Sequence, residues 1–292
     1  MVKKLTVTDD DLEEFIFQYC RDYTDLERKG RFDPISGREK EIDEVILIML
    51  QKGRKNAALL APAGVGKTAL VVGLAQKIVK KEVPNYLLNA RVIEIDMSSM
   101  AAGTTGPADF QARFVPLARG AAERYHYEEY PKIILFIDEI HTIMPTCEGS
   151  SYKGLSEVMK PYLTVGDLHV LGATTLDEYR IYVKEDPALD RRFQQVPLSV
   201  PDAQETFRIL QVLRGGYEKH HHTKISDEAL RLVVKLTDQF MPRRNQPDKS
   251  IIIMDGACAH HVMENGWGGE LTIDSIQKMV SIETKLSPKA LE

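Results

Sequence analysis

The stretch APAGVGKT, residues 61–68, decides the fold class of this chain of 292 residues. It follows the apolar run NAALL and opens the segment VGKTALVVGLAQKIVKK, in which apolar residues recur at helical spacing. A glycine-rich loop between a strand and a helix is the context that phosphate binding requires. The alternative is a glycine turn that only connects the two elements. The usual first glycine of such a loop is Ala61 here, and its methyl group is either tolerated or distorts the turn.

The residue types of this loop suit a nucleotide. Backbone N–H groups can surround a phosphate chain, and the amino terminus of the following helix adds a favourable partial charge. We expect Lys67 to reach the outer phosphates and Thr68 to reach Mg²⁺. The predicted nucleotide-binding residues of the loop are Ala63, Gly64, Val65, Gly66, Lys67, Thr68 and Ala69.

A second motif, KIILFIDEI at residues 132–140, ends an apolar strand with Asp138 and Glu139. Strands buried on both faces deliver such residues to the carboxyl edge of a parallel sheet, where α/β proteins bind ligands. Asp138 is predicted to bind Mg²⁺, and Glu139 is predicted to act as the general base on the attacking water. An isolated acidic pair would as readily face solvent. Its position after a phosphate loop favours the catalytic interpretation.

A third apolar strand ends in GATT, residues 172–175. Thr174, or with less support Thr175, is predicted to hydrogen-bond either the γ-phosphate or the attacking water; a threonine pair that merely finishes a strand is the alternative. Farther along, DPALDRRFQQV contains the adjacent arginines Arg191 and Arg192. Adjacent arginines usually form a solvated surface or pair with nearby acids, and their spacing alone does not make them catalytic.

The order of elements predicts the domain organisation. Strands alternate with helices up to about residue 200, which predicts an α/β fold with a parallel sheet flanked by helices. Helical patterns follow, one of them starting at a Ser226 cap, and they predict a small α-helical lid. The leading residues 9–30 are predicted as one helix. The predicted segments are a leading helical segment 1–30, a large α/β domain 31–200, a lid 201–265 and a linker with one further helix 266–292.

Composition limits the function classes. The net charge of −5 gives no general electrostatic reason to expect nucleic acid as a partner. Three widely separated cysteines argue against a disulfide framework and for a reducing compartment. Neither a bilayer-spanning apolar run nor the apolar core of a signal peptide is present in the sequence, so we expect a cytoplasmic protein without a membrane span. The histidines at 220–222 are predicted to be a solvated helix end rather than a metal site.

Several blocks together resemble the first ATPase domain of Clp-type AAA+ unfoldases, a family of P-loop NTPases. The blocks, in the order of that family, are DPISGREKEID, GVGKTALVVGLAQKIV, ILFIDEIHTI, LGATTLDEYRIYVKEDPALDRRFQ and PDKSIIIMDGACA. The resemblance implies a ring, commonly a hexamer, that binds ATP and Mg²⁺ between subunits. It implies that Lys67, Thr68, Asp138, Glu139 and Thr174 act within one subunit. It also implies that Arg191 and Arg192 reach the neighbouring site and that Ile35 packs on the adenine.

One loop departs from the family pattern. The family has a sequence like AGAKYRGEF after its second strand, and the aromatic residue there projects into the central pore to grip an unfolded chain. This sequence has AGTTGPADF, residues 102–110, within the segment 100–110 that is predicted to be a mobile loop. Thr105, Gly106 and Pro107 therefore occupy the pore-loop positions of the family's Lys, Tyr and Arg. Because glycine has no side chain to press on a substrate, the resemblance implies ATP chemistry without a grip on polypeptide.

Three functions fit these observations. The first is a Clp-like ATPase that remodels, unfolds or disassembles proteins. The second is an ATP-switched assembly component of a secretion system or other macromolecular machine that does not thread substrate. The third, a relative of clamp loaders or DNA motors, is disfavoured by the Clp-specific blocks and the acidic balance. We expect either a stand-alone single-ring protein or a part of a longer two-ring protein.

Overall fold

The computed structural model describes residues 5–147, 150, 152, 155–165 and 167–287. These residues form two compact units, each assembled from three separate ranges of the chain. The larger unit takes its described residues from Met1–Phe32, Lys40–Ala61 and Leu70–Leu198. The smaller unit takes them from Asp33–Glu39, Pro62–Ala69 and Ser199–Glu292. The phosphate loop is thus grouped with the helices of the predicted lid. The predicted domain limits, 31–200 and 201–265, stay predictions.

The larger unit is built on a six-stranded sheet formed by described residues. Its strands are β1 (Cys20–Asp22), β2 (Asn56–Leu60), β3 (Arg91–Ile95), β4 (Ile133–Ile137), β5 (His169–Thr174) and β6 (Phe193–Pro197). Their order is β1-β3-β4-β5-β2-β6, with β1 antiparallel to β3 and the other pairs parallel. Strands β2, β4 and β5 are buried along their whole length, which explains why their sequences lack polar alternation. The predicted α/β fold with a mainly parallel sheet is confirmed.

Helices cover this sheet. Those that lie wholly in the larger unit are α1 (Asp9–Tyr19), α2 (Tyr23–Arg28), α5 (Met97–Ala101), α6 (Pro107–Arg124), α7 (Leu155–Val165), α8 (Leu176–Glu178) and α9 (Pro187–Asp190). Helices α3 (Glu39–Met49) and α4 (Lys67–Val79) start on residues grouped with the smaller unit and continue into the larger one. Short 3-10 turns at Asn85–Leu87 and Ile140–Ile143 and a π-helical turn at Tyr179–Val183 complete the regular structure. Apolar side chains of α1, α6 and α7 form one core with residues of β3, β4 and β5.

The prediction of one helix over residues 9–30 is wrong in its middle. Helix α1 ends at Tyr19, and the next three residues form β1, in which Cys20 pairs with Ile95. Asp22 then caps a new helix, because its carboxylate accepts hydrogen bonds from the Asp25 backbone and the Thr24 hydroxyl. Pairing with a sheet edge and a new cap thus override the helical pattern. Residues 1–4 of the predicted leading segment lie outside the described residues.

The loop predicted at residues 100–110 is shorter than its glycine content indicates. Helix α5 extends to Ala101, and α6 begins at Pro107, so the irregular segment runs over residues 102–106. Proline suits the first position of a helix because its fixed φ is helical and it lacks an N–H that would need a partner. Pro107 therefore begins α6, whereas Thr105 and Gly106 lie in the irregular segment. The pore-loop role of all three residues stays a prediction.

Strand β6 has no counterpart among the predicted strands. Phe193 and Val196 are buried and the other three residues are more exposed, and Phe193 pairs with Asn56 at the edge of the sheet beside β2. The sequence FQQVP carries only two large apolar residues, Phe193 and Val196. Such a short edge strand depends on its partner rather than on its own pattern.

The smaller unit contains the predicted helical lid. Its helices are α10 (Ala203–His221), α11 (Asp227–Phe240), α12 (Asp248–Asn265) and α13 (Ile273–Thr284). Their apolar faces form a second core. The predicted cap of α11 is confirmed, since the Ser226 hydroxyl accepts a hydrogen bond from the Ala229 backbone at 3.3 Å. The predicted final helix is confirmed as α13, and residues 288–292 lie outside the described residues. Among the helices that the structure describes, none has the length and apolarity to cross a membrane.

Candidate active site

The phosphate loop has the backbone conformation that its glycines permit. Gly64 and Gly66 have φ values of 77° and 106°, in the left-handed region where glycine carries no steric penalty. Helix α4 begins at Lys67, whose Nζ atom donates a hydrogen bond to the Pro62 carbonyl at 3.3 Å. Val65 between the two glycines is buried. The loop thus combines a glycine turn with the amino terminus of a helix, the arrangement that concentrates backbone N–H groups on an anion.

Two residues around the start of α12 contact the same loop within the smaller unit. The side-chain amide of Asn245 donates a hydrogen bond to the Ala63 carbonyl at 3.0 Å, and the Asp248 backbone N–H donates one to the Gly64 carbonyl at 3.4 Å. A Cβ atom built on Gly64 would lie 2.8 Å from the Cβ of Asp248. Gly64 is therefore required both by its φ value and by the close approach of the helix.

Arg38 is buried and contacts the backbone of the phosphate loop. Its side chain is 3% exposed, and Nη2 donates hydrogen bonds to the carbonyl oxygens of Val65 at 2.8 Å and Ser199 at 3.0 Å. A buried guanidinium that satisfies two backbone carbonyls fixes both segments relative to it. The backbone of the loop is thus hydrogen-bonded to this cation at Val65 and to Asn245 at Ala63.

The remaining predicted residues of this unit lie in two segments. Ile35 is half-buried in the segment 33–39, and Ala69 is half-buried in the first turn of α4. Thr68, in the same turn, is exposed. Its hydroxyl is therefore accessible to a ligand at the helix amino terminus.

In the larger unit, the predicted acidic pair stands at the carboxyl end of β4. Asp138 is half-buried, and its Oδ1 atom accepts a hydrogen bond from the Glu139 backbone at 3.0 Å. Glu139 is exposed and has φ 52° and ψ 48°, a left-handed conformation that few non-glycine residues adopt. Backbone strain of this kind recurs at functional sites. Asp138 thus lies half-buried directly after the strand, and Glu139 is exposed to solvent.

Thr174 ends the neighbouring strand β5 and is buried, with 2% of its surface exposed. Its hydroxyl donates a hydrogen bond to Glu178 Oε2 at 2.8 Å, and Nδ1 of His141 lies 2.9 Å from the Thr174 hydroxyl oxygen. Its backbone carbonyl accepts a hydrogen bond from the Ala61 N–H at 3.1 Å. Because β4 and β5 are adjacent parallel strands, the sheet brings Thr174 to the same edge as Asp138.

A cavity of about 180 Å³ beside the acidic pair carries further carboxylates. It is lined in part by Asp138, Glu139, Glu94 and Asp96, and Arg21 supplies a positive charge to the same lining. Arg21 lies 3.8 Å from Glu94 and 3.6 Å from Asp96. Burial raises the pKa of Glu94, and the nearby charge of Asp138 acts in the same direction. The Glu94 carboxyl therefore takes up a proton more readily than an exposed glutamate.

The predicted arginines and pore-loop residues lie elsewhere in the larger unit. Arg191 is exposed directly after α9, and Arg192 is half-buried, with its carbonyl accepting a hydrogen bond from the Asn56 side chain at 3.4 Å. Thr105 is exposed, and its N–H and hydroxyl both donate to the Asp109 carboxylate, at 3.0 and 2.6 Å. These hydrogen bonds connect the loop before α6 to the first turn of that helix.

Two family models match adjacent parts of the chain. A model for the ATPase family associated with various cellular activities (AAA) matches residues 57–197, and a model for the AAA lid domain matches residues 202–289. Chaperone protein ClpB of Staphylococcus aureus is 40% identical over 267 residues, which are 91% of this chain and 30% of that protein. The chain belongs to the Clp-type AAA+ ATPases. ClpB of Aquifex aeolicus is 41% identical over 268 residues, covering 92% of this chain and 25% of that protein.

Solved structures of the same type agree with this assignment to the Clp-type AAA+ ATPases. The Saccharomyces cerevisiae Hsp104:casein complex in its extended conformation matches with a TM-score of 0.83 and 33% identity, over 95% of this chain and 47% of that one. The S. cerevisiae Hsp104-ADP complex matches with a TM-score of 0.83 and 31% identity, over 95% and 46%. The chain spans less than half of these structures and about 30% of the first curated relatives.

Sequence reasoning missed four residues that contact predicted site residues: His141 and Glu178 in the larger unit, and Arg38 and Asn245 in the smaller unit. One signal was present, because Thr175 and Glu178 have the spacing of a capping box, and both of its hydrogen bonds form in the structure. His141 directly follows the acidic motif, but its contact with Thr174 depends on the packing of two strands. Nothing in the local sequence of Arg38 or Asn245 indicates that they contact the phosphate loop.

Proposed function

We propose that this chain binds ATP with Mg²⁺ and hydrolyses it at the subunit interfaces of a hexameric ring to remodel, unfold or disassemble protein partners.

 The observation that carries the proposal is the edge of the larger unit's sheet, where Asp138 and Glu139 follow β4 and Thr174 ends the adjacent strand β5. The Ala61 N–H, at the start of the phosphate loop, is hydrogen-bonded to the Thr174 carbonyl. A carboxylate pair, a buried hydroxyl and a phosphate loop are the parts that ATP hydrolysis uses.

The phosphate loop would bind the nucleotide. In this proposal the N–H groups of Gly64, Val65, Gly66 and Lys67 surround the phosphates, and the Lys67 ammonium neutralises the outer ones. Ala63 and Ala69 flank the phosphates, and Ile35 packs on the adenine. The positive φ values of Gly64 and Gly66 support this role, because they allow successive N–H groups to point in one direction.

Mg²⁺ would be held by Thr68 and Asp138. Their donors are a hydroxyl and a carboxylate, which are the hard oxygen ligands that this ion prefers. The exposure of Thr68 and the half-exposed position of Asp138 fit such a role. Bound Mg²⁺ would neutralise charge on the phosphate oxygens during transfer.

Glu139 would act as the general base. Its side chain is exposed directly after β4, on a residue with a left-handed backbone conformation. In the proposed reaction the carboxylate accepts a proton from the attacking water while the Thr174 hydroxyl helps to orient that water. The different exposure of the two carboxylates suits the different roles proposed for them, Mg²⁺ binding by Asp138 and proton transfer by Glu139.

The ring rests on the family resemblance and on the exposure of Arg191. This arginine follows α9 on the surface of the larger unit, where a neighbouring copy can approach it. Arg191 and Arg192 would contribute positive charge to the neighbour's transition state. We infer a hexamer from the family pattern, with protein substrates or a larger machine as partners and the cytoplasm as location.

Steady-state ATP hydrolysis and nucleotide binding test the proposal. Glu139→Gln should lower kcat by at least about 100-fold while ATP remains bound, because it removes the base and keeps the shape. Lys67→Ala should abolish measurable ATP binding, whereas Lys52→Ala, a matched change at an exposed lysine, should leave it intact. Unchanged hydrolysis in Glu139→Gln, or retained ATP affinity in Lys67→Ala, would contradict the assignment.

A second candidate function is an ATP-switched assembly component that does not thread substrate. It is favoured by the segment 102–106, which lacks an aromatic residue and is hydrogen-bonded to neighbouring residues. Arg113 Nη1 donates hydrogen bonds to the carbonyls of Met100 at 2.8 Å and Ala102 at 2.6 Å, and Thr105 is bonded to Asp109. A loop without an aromatic side chain has little surface with which to hold a polypeptide.

Unfolded casein distinguishes the two functions. A remodeller that threads its substrate should hydrolyse ATP faster in the presence of casein and should translocate it. An assembly component should show neither effect, while ATP still drives formation of its oligomer. Hydrolysis stimulated by DNA would contradict both candidates.

A further inference from the structure

The buried hydroxyl of Thr174 has two side-chain neighbours in the larger unit. Its oxygen lies 2.8 Å from Glu178 Oε2 and 2.9 Å from His141 Nδ1. Neither neighbour belongs to the phosphate loop or to the acidic pair. Their contacts determine which hydrogen bonds Thr174 can still make.

A hydroxyl carries one proton and two lone pairs, whereas an ionised carboxylate only accepts hydrogen bonds. Burial would raise the pKa of Glu178, but hydrogen bonds from Thr175 and Thr174 outweigh it and hold that pKa below its usual value. Glu178 is therefore ionised at neutral pH, and the Thr174 proton points to it. His141 must then donate an Nδ1–H to the Thr174 oxygen, because the only proton of that hydroxyl is already given to Glu178.

Both neighbours are themselves held in place. Glu178 Oε2 also accepts hydrogen bonds from the Thr175 backbone at 3.0 Å and the Thr175 hydroxyl at 2.8 Å. The His141 ring stacks on Tyr182 with a centroid distance of 5.8 Å and an interplanar angle of 26°. The hydroxyl of Thr174 is thus oriented by two groups that cannot easily turn away.

We propose that His141 and Glu178 are positioning residues for ATP hydrolysis, which orient the Thr174 hydroxyl so that its remaining lone pair accepts a hydrogen bond from the attacking water. This inference rests on the proposed function. It selects one of the two roles that the sequence left open for Thr174. With its proton given to Glu178, Thr174 acts as an acceptor for water rather than as a donor to the γ-phosphate.

A double-mutant cycle tests whether the positioning residues act through Thr174. Thr174→Ala and Glu178→Ala should each lower kcat by about 10- to 100-fold with less than about 3-fold change in KM for ATP. The double variant should be no slower than Thr174→Ala alone, because the group being positioned is already absent. Independent, multiplicative losses would overturn the proposal, since they would indicate a general structural role for Glu178.

Conservative variants distinguish the proposed positioning role from a loss of activity caused by misfolding. Glu178→Gln keeps a carbonyl oxygen that accepts from Thr174 and Thr175, and it should retain kcat within about 3-fold of the wild type. His141→Asn keeps an N–H donor near the position of Nδ1 and should retain more activity than His141→Ala. Asp177→Ala, at the neighbouring side chain that is 88% exposed, is the matched control and should leave kcat unchanged. Equal losses in the conservative and alanine variants would overturn the proposal.

Nucleotide binding separates the two roles of Thr174. In a Glu139→Gln background, which should bind ATP without turnover, Thr174→Val should leave the ratio of ATP to ADP affinities within about 2-fold. A fall of 10-fold or more in that ratio would show a bond to the γ-phosphate and would overturn the inference while leaving the ATPase assignment intact. Absence of hydrolysis by the wild-type chain would instead overturn the proposed function, and this inference with it.

Discussion

Replacing Gly106 by Tyr would put an aromatic side chain at the predicted pore-loop position without straining the backbone. Gly106 has φ −179° and ψ −180°, an extended conformation that any residue adopts. A Cβ atom built on it meets no other heavy atom within 4 Å. We therefore expect the free energy of unfolding to stay within about 0.5 kcal/mol of the wild type. That corresponds to a change in Tm of roughly 1–2 °C.

Gly103→Tyr, in the same loop, is the matched control. Gly103 has φ +71°, a left-handed conformation that costs an L-residue about 1–2 kcal/mol. The expected fall in Tm is roughly 2–8 °C. The two variants add the same side chain three residues apart, so a difference between them reports the backbone conformation rather than the chemistry of tyrosine.

Thermal unfolding and casein-stimulated ATP hydrolysis together form the assay. Gly106→Tyr should keep the wild-type Tm and should increase the stimulation by casein, because the loop gains a side chain that presses on polypeptide. A fall in Tm equal to that of Gly103→Tyr would refute the loop geometry. An unchanged Tm without any gain in stimulation would refute the assignment of this loop to a pore.

Three further predictions concern stability. Arg38→Ala should lower the free energy of unfolding in urea by about 3 kcal/mol, because two carbonyls lose a buried charged donor; a loss below about 1 kcal/mol would contradict this. Gly172→Ala should cost about 1–3 kcal/mol, since its Cβ would lie 2.5 Å from Ile140 Cδ1. Combining it with Ile140→Ala should cost less than the sum of the single changes, and additivity would contradict the clash. Burial lowers the pKa of His169 to about 4, so the unfolded chain takes up this proton first. The contribution of neutral His169 to the free energy of unfolding is complete above about pH 6.5 and is lost as the pH falls towards 4. The loss reaches about 2 kcal/mol at pH 5. His169→Phe should remove that part of the pH dependence in urea titrations, and an unchanged slope would contradict it.

The elements with strong local signals were predictable from the sequence. The helical patterns predicted for the lid include that of α10, Ala203–His221, and the cap at Ser226 forms as expected. Continuous apolar runs predicted strands β2, β4 and β5, because a strand buried on both faces needs no polar alternation. The ends of those strands, and therefore Asp138 and Thr174 at one edge of the sheet, follow from the parallel order.

Other features depend on partners that are distant in the chain. Strand β1 interrupts a good helical pattern because Cys20–Asp22 pairs with β3, and β6 exists because β2 offers an edge. The orientation of the Thr174 hydroxyl depends on His141 and Glu178 in the same way. Local patterns therefore predicted which residues reach the site, whereas the hydrogen bonds between them had to come from tertiary packing.

The substitution of alanine for the first glycine of the phosphate loop shows where the motif needs glycine. Ala61 continues the pairing of β2 with β5, since its N–H donates to the Thr174 carbonyl, and its side chain is buried. Positive φ values occur at Gly64 and Gly66 instead, where the chain turns. A methyl group at position 61 is therefore compatible with the turn, because strand pairing and not left-handed backbone governs that position. The requirement for glycine begins only where the loop leaves the sheet.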